Sequence, residues 1–155
     1  MGRTRVHLKR SSLLILAAIL APLLSFTKAA HSYQGFGATT PGGSGKIVVH
    51  VTNLNDSGPG SFREAVKQGN RTVVFDVGGE ILLGDYLYVL GAFITIDGST
   101  APSPGITLRN RGLIIRGNKG AHDVIVRGLR VRGSPIDGIQ IAYGAYHVVI
   151  DHVSV

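Results

Sequence analysis

The sequence has no cysteine and no tryptophan, one methionine, and only nine acidic residues against sixteen lysines and arginines among its 155 residues. Without cysteine there is no disulfide framework, so an exported chain of this kind must be held together by burial. Long apolar runs are also missing. The stretch Leu13-Leu14-Ile15-Leu16-Ala17-Ala18-Ile19-Leu20-Ala21-Pro22-Leu23-Leu24 is about a dozen residues, whereas crossing a bilayer takes roughly 20. A spanning helix is therefore disfavoured, and a retained anchor is the lesser reading. The shortage of acid, which leaves a formal charge of +7, suggests a nucleic-acid partner until the charges are placed.

Five of the basic residues, Arg3, Arg5, Lys9, Arg10 and Lys28, fall within the first 29 positions, where there is no acid. A basic start, a short apolar run and small residues around Ser25 to Ala30 make a secretory signal peptide, with cleavage after Ala29 or Ala30. Removing residues 1–29 leaves eleven basic against nine acidic residues, a balance of +2. The basic character belongs mostly to the export leader, and a nucleic-acid partner is not expected.

Glycine is abundant, with 22 residues, and the last third of the chain repeats itself. Gly120-Ala121-His122-Asp123-Val124-Ile125-Val126-Arg127-Gly128-Leu129-Arg130-Val131 is followed, offset by 24 throughout, by Gly144-Ala145-Tyr146-His147-Val148-Val149-Ile150-Asp151-His152-Val153-Ser154-Val155. Both copies carry β-branched residues and an apolar-polar alternation that suits a pleated strand, with no helical pattern between them. Such a period points to a solenoid in which each coil stacks on the last. The expected fold class is all-β, a parallel β-helix.

Taken in order, residues 30–45 form a Gly/Thr-rich lead-in, expected to be extended and poorly packed, and residues 46–155 form the coils. Ile47 to Val51 alternates like a first strand, and Thr52 to Gly60 is dense in turn formers. Ser61 and Glu64 have capping-box spacing, Phe62, Ala65 and Val66 give one apolar face, and Gly69 stops the element. This short helix is the expected plug over the first coil, whose open edge would otherwise template aggregation. Strands are expected at Arg71–Val77, Glu80–Leu83, 94–97, 106–108 and 113–115. The walls align positions 94, 124 and 148, then 106, 129 and 153, then 113 and 139. Inward residues would be Ile94, Ile96, Val124, Val126, Leu129, Val131, Ile139, Ile141, Val148, Ile150 and Val153. Val155 falls inside a strand with no polar coil after it, so the chain is expected to be truncated at its C-terminal end, and to aggregate or partly unfold by itself.

Four stretches carry a resemblance. They are Gly35-Phe36-Gly37-Ala38 with the glycine-rich run after it; Val51 to Ala65 (VTNLNDSGPGSFREA); Ile94 to Pro102 (ITIDGSTAP); and Asp137-Gly138-Ile139-Gln140-Ile141, followed by Val148-Val149-Ile150-Asp151-His152. In this order they resemble secreted bacterial pectate lyases, over roughly Gly35 to Val155. The resemblance implies a right-handed single-stranded parallel β-helix with a short N-terminal capping helix. It implies a secreted, monomeric enzyme that cleaves pectate (polygalacturonate) by β-elimination with Ca²⁺. In that chemistry Ca²⁺ neutralises the carboxylate beside the C5 proton as the enolate forms, a base removes the proton and the C4 oxygen leaves. The family's base is an arginine, unusual for a group whose pKa exceeds about 12.

Carried onto this chain, the resemblance makes Asp137 the acid that opens the family's Asp-x-Ile strand and ligates calcium. Relatives often have a second acid two residues earlier, where this chain has Pro135. Asp151 and His152 match an Ile-Asp-His signature and are read as a structural polar pair. The catalytic arginine and further ligands would fall after Val155, so no catalytic residue is identified here. From the residues alone, Asp137 lies in a turn where Asp commonly bonds its own backbone. Arg127, Arg130 and Arg132 read as a basic cluster. Arg130 and Arg132, two apart on one strand face, could bind uronate carboxylates by forked hydrogen bonds or simply line a solvated wall. His122 and His147 read as surface residues at turns. Asn55-Asp56-Ser57 and Asn70-Arg71-Thr72 fit the glycosylation acceptor pattern, and neither is expected to be used in a bacterial chain. The alternatives are a non-catalytic β-helix that binds carbohydrate, and a polygalacturonase-type hydrolase, which would need paired acids.

Overall fold

The computed structural model describes residues 1–2 and 32–155; the leader and its cleavage site lie outside the described residues. Among the described residues no helix is long and apolar enough to cross a membrane. The chain runs β1 (Ile47–Val51), α1 (Phe62–Ala65), β2 (Arg71–Phe75), β3 (Gly79–Leu82), β4 (Leu87–Val89), β5 (Ile94–Asp97), β6 (Ile106–Arg109), β7 (Leu113–Arg116), β8 (His122–Arg127), β9 (Leu129–Arg132), β10 (Ile139–Ala142) and β11 (Tyr146–Asp151). These strands build three walls of a solenoid of about four turns. Wall A has the order β1-β2-β5-β8-β11, wall B β3-β6-β9 and wall C β10-β7-β4. Every named strand pair is parallel. The structure is thus a parallel β-helix.

The register agrees with the alignment read from the sequence. Ile94 pairs with Val124 and Val124 with Val148; Ile106 pairs with Leu129; Leu113 pairs with Ile139. Arg130 and Ser154 form a further parallel bridge, which continues wall B one coil on. Strand β4 was not anticipated. Leu87 pairs with Leu113, so wall C has a uniform spacing of 26 residues from Leu87 to Leu113 to Ile139.

Alternation sends one side chain in two to the interior. Ile94, Ile96, Ile106, Leu108, Ile115, Val124 and Val126 are fully buried, and Leu129 and Val131 nearly so. Five of the expected inward residues are not fully buried: Ile139, Val148 and Val153 are half-buried, and two are exposed, Ile141 at 50 % and Ile150 at 40 %. Both are in register with buried residues, Ile115 and Val126. They lie in the last of the described coils, which no described coil covers.

The cap forms as expected. Ser61 Oγ accepts a hydrogen bond from the Glu64 amide at 3.2 Å. The reciprocal half of the capping box is absent: the Ser61 amide donates to Gly58 O, and the Glu64 carboxylate pairs with Lys67. Phe62 is fully buried and meets Phe75 edge-on at 5.0 Å between ring centroids. Arg71, 8 % exposed, donates to Ala65 O, Gly69 O and Gln68 Oε1, which satisfies acceptors at the end of α1.

The lead-in departs from expectation. It is a chain of turns laid across the outer face of wall A, and Thr40, Gly42 and Gly43 are buried. The Gly43 amide donates to Thr95 Oγ1 of β5 at 2.9 Å, and Thr72 Oγ1 of β2 donates to Gly43 O at 2.9 Å. A Cβ on Gly43 would lie 2.0 Å from Arg71 O, and one on Gly37 would lie 2.7 Å from Val148 O. The glycines that suggested a poorly packed stretch in sequence are what lets this segment approach the sheet backbone so closely.

Candidate functional site

Asp137 stands in the turn between β9 and β10, at the edge of wall C, and is exposed. Its Oδ2 accepts from Gln140 Nε2 at 3.3 Å, and its carbonyl accepts from Ser134 Oγ at 2.8 Å. The turn sits tightly on the coil before it, since a Cβ on Gly112 would lie 2.5 Å from Asp137 O. Asp85, Arg111 and Asp137 each lie two residues ahead of the stacked positions Leu87, Leu113 and Ile139. The column at this corner therefore alternates acid, base, acid. Arg111 thus stands between Asp85 and Asp137 in the stack. Among the described residues no group of three or more His, Asp or Glu side chains could hold a metal ion.

Arg130 and Arg132 lie on the outer side of wall B, alternating with the buried Leu129 and Val131. Arg130 Nε donates to Thr107 Oγ1 at 2.9 Å and its Nη2 to Pro104 O. Arg132 donates to Ser154 O at 2.9 Å and to Ser154 Oγ at 2.7 Å. Both guanidinium groups brace neighbouring segments, which leaves only part of their donor set for a ligand. The wall also carries Arg109, whose Nε is 3.8 Å from Glu80 Oε2.

Arg127 does not belong to this cluster. It is in wall A, on the other side of the turn at Gly128, and its Nη2 pairs with Asp97 Oδ2. Burial works against the charged form of Asp97, but hydrogen bonds from Arg127 and Ser99 and the charge of Arg127 outweigh it and hold the carboxyl below its ordinary value. The bond to Asp97, opposed by burial, raises Arg127, and the Tyr33 hydroxyl of the lead-in adds to the effect. The register that sets position 94 against 124 sets 97 against 127, a pairing that the sequence reading, which grouped Arg127 with Arg130 and Arg132, did not draw.

A second polar centre, around Asp123, went unread. Asp123 Oδ1 accepts from Thr40 Oγ1 at 3.0 Å, Oδ2 is 2.7 Å from His122 Nδ1, and His147 Nδ1 is 3.4 Å from Oδ1. Burial again opposes the charge on Asp123, and the bonds from His122 and Thr40 with the nearby histidine charges bring its pKa below the ordinary value. His147 is exposed, as expected of a surface residue, and stands beside Asp123, whereas His122 is half-buried and bonds it; Thr40 brings the lead-in to the same carboxylate. Thr40 is 83 positions away in sequence, so no local pattern could reveal the contact. Asp151 and His152 bond each other, Oδ1 to Nδ1, at 2.6 Å at the end of β11, with His152 almost fully exposed.

Most of these arrangements are structural ties, and Asp137 at the corner of wall C is the exposed carboxylate that the sequence singled out. No family model matches the chain. It is 46 % identical over 149 residues to a probable pectate lyase C of Emericella nidulans, covering 93 % of this chain and 33 % of that protein. The chain is thus similar, over most of its own length, to a protein named as a probable pectate lyase. A probable pectate lyase C of Aspergillus terreus is 40 % identical over 156 residues, which is 97 % of this chain and 35 % of the relative. Among solved structures, Jun a 1, the major allergen from cedar pollen, matches 64 % of this chain and 29 % of its own, with 31 % identity and a TM-score of 0.56. The chain spans about a third of the length of the curated relatives it matches. Those relatives are fungal, so the bacterial character expected from the sequence has no support among them.

Proposed function

We propose that this chain is the cap and first coils of a secreted, monomeric pectate lyase that cleaves polygalacturonate by calcium-dependent β-elimination. The carrying observation is the 40–46 % identity to probable pectate lyases over most of the chain. In this reading Asp137 supplies one carboxylate to the calcium. A single carboxylate satisfies one or two of the six to eight oxygen positions that Ca²⁺ takes, so the residues described here do not by themselves fit the ion. The remaining ligands and the base belong to coils beyond those described. What this chain contributes is a rigid corner that fixes Asp137 through Gln140, Ser134 and the stacked Gly112, and an arginine-bearing wall that attracts a polyanion.

A chimera tests this directly: residues 1–155 joined to the remaining two thirds of a fungal relative and incubated with polygalacturonate. The expected result is release of unsaturated product, its loss with a chelator, and a large fall in rate with Asp137→Ala. Saturated reducing ends in place of unsaturated ones would assign a hydrolase instead. Binding of polygalacturonate with no product would make the chain a carbohydrate-binding β-helix.

A further inference from the structure

Two asparagines at the cap end of the solenoid are in acceptor sequences, Asn55-Asp56-Ser57 and Asn70-Arg71-Thr72. We propose that Asn55 and Asn70 carry N-linked glycans; the proposal rests on the export part of the function above. A bacterial chain gave no reason to expect this, whereas the relatives reported are fungal. The acceptor pattern means a surface position in an exported protein, and the structure supplies that position twice. Asn55 and Asn70 are both exposed. Among the described residues neither side-chain amide has a hydrogen-bond partner. Other asparagines are spent on the fold: Asn53 Nδ2 donates to Pro59 O at 2.9 Å, and Asn110 Nδ2 donates to Leu83 O at 2.9 Å.

The placement gives the modification a purpose. β1 is an edge strand, with Ile47 62 % and Val48 57 % exposed, and an uncovered apolar edge invites pairing with another chain. Asn70 directly precedes Arg71, the register partner of Ile47, and Asn55 lies four residues after the end of β1. A bulky polar glycan at each position flanks this edge. Asp137 lies next to β10, at the opposite end of the stack, and stays clear of both. The two acceptors differ in timing. Ser57 is exposed, whereas the Thr72 hydroxyl donates to Gly43 O once the lead-in is docked. Asn70 is therefore modified before residues 33–46 settle on wall A. In the transfer the Asn amide nitrogen bonds to the anomeric carbon of a lipid diphosphate-linked oligosaccharide, the amide loses a proton and the lipid diphosphate leaves.

The test is to express the whole chain in a fungal host, recover it from both medium and cells, and compare intact and peptide masses before and after peptide N-glycosidase. The expected result is a loss of glycan mass with conversion of Asn55 and Asn70 to aspartate. Asn55→Gln and Asn70→Gln should each remove one part of the added mass, and the double variant all of it. Thr72→Ala should abolish the modification at position 70 while leaving Asn70 in place. Exported chain with both asparagines unmodified overturns the proposal. Chain found only in cells sinks the export reading, and its mass then decides the glycans separately: modified asparagines uphold them, unmodified ones do not.

Discussion

Ile115 and Ile141 hold the same place in neighbouring coils, facing each other across β7 and β10, yet Ile115 is fully buried and Ile141 half exposed. Val126 and Ile150 repeat the contrast in wall A, at 0 % and 40 %. The front of the solenoid is covered only in part: α1 lays the fully buried Phe62 over the first coil and Val51 is buried, but Ile47 at the start of β1 stays 62 % exposed although its coil-mate Ile94 is buried. In a solenoid the direction of a side chain is set by its own strand, while its burial is set by the coil stacked on it. Equal sequence patterns therefore carry unequal energies along the axis.

The sharpest way to break this comparison is a matched pair of truncations. Ile115→Ala should cost about 2–5 kcal/mol, the usual range for emptying a packed core site. Ile141→Ala should cost under about 1 kcal/mol, because much of its surface is already in water. Urea midpoints measured side by side decide it, and equal losses would mean that the last coil is packed as tightly as those before it.

Next in size is the Asp97–Arg127 tie, which links β5 to β8 in the well-packed region. Arg127→Met leaves a buried carboxylate without its partner and should cost about 3 kcal/mol near neutral pH. The folded-state pKa of Asp97 is depressed, so the stability it contributes is fully present above the unfolded value, about 4, and is lost as pH falls through the lower folded value. The gap between wild type and variant should accordingly close in acid, below about pH 4. A gap of constant size on acidification would show that the loss comes from packing and not from charge.

The smallest effect concerns the lead-in. Thr40→Val removes one hydrogen bond to Asp123 and should cost about 1 kcal/mol. Amide exchange at Gly43 should rise while exchange at Val124 stays low. Unchanged exchange at Gly43 would show that the Thr95 and Thr72 bonds hold the segment without Thr40.

How much of this could be read beforehand depended on whether the signal was local or periodic. The capping helix was legible because Ser61, Glu64 and the Phe62-Ala65-Val66 face lie within six residues. The wall registers were legible because parallel strands stack like on like, so the repeat offset becomes the pairing offset. Strand β4 was missed because Leu87-Tyr88-Val89 is three residues long and gives little alternation to count. The entry corners Asn70, Phe93, Asp123 and His147 were missed as a column: all four have φ between 51° and 57°, yet none is glycine, the residue that usually marks that conformation. At the candidate site the sequence singled out Asp137, but its acid-base-acid corner with Asp85 and Arg111 emerges only when the coils are superposed.

The sequence by itself determined that the chain is a stack of parallel strands with a helical cap, which residues face inward, and which family it resembles, because periodicity and capping are properties of neighbours along the chain. Tertiary structure alone decided that the glycine-rich lead-in clamps wall A, that Thr40 and two histidines share Asp123, that Arg127 parts from Arg130 and Arg132, and which inward residues are buried. Each of these depends on segments far apart in sequence meeting at a few ångströms, and the free energy of those meetings is set by what lies across the gap.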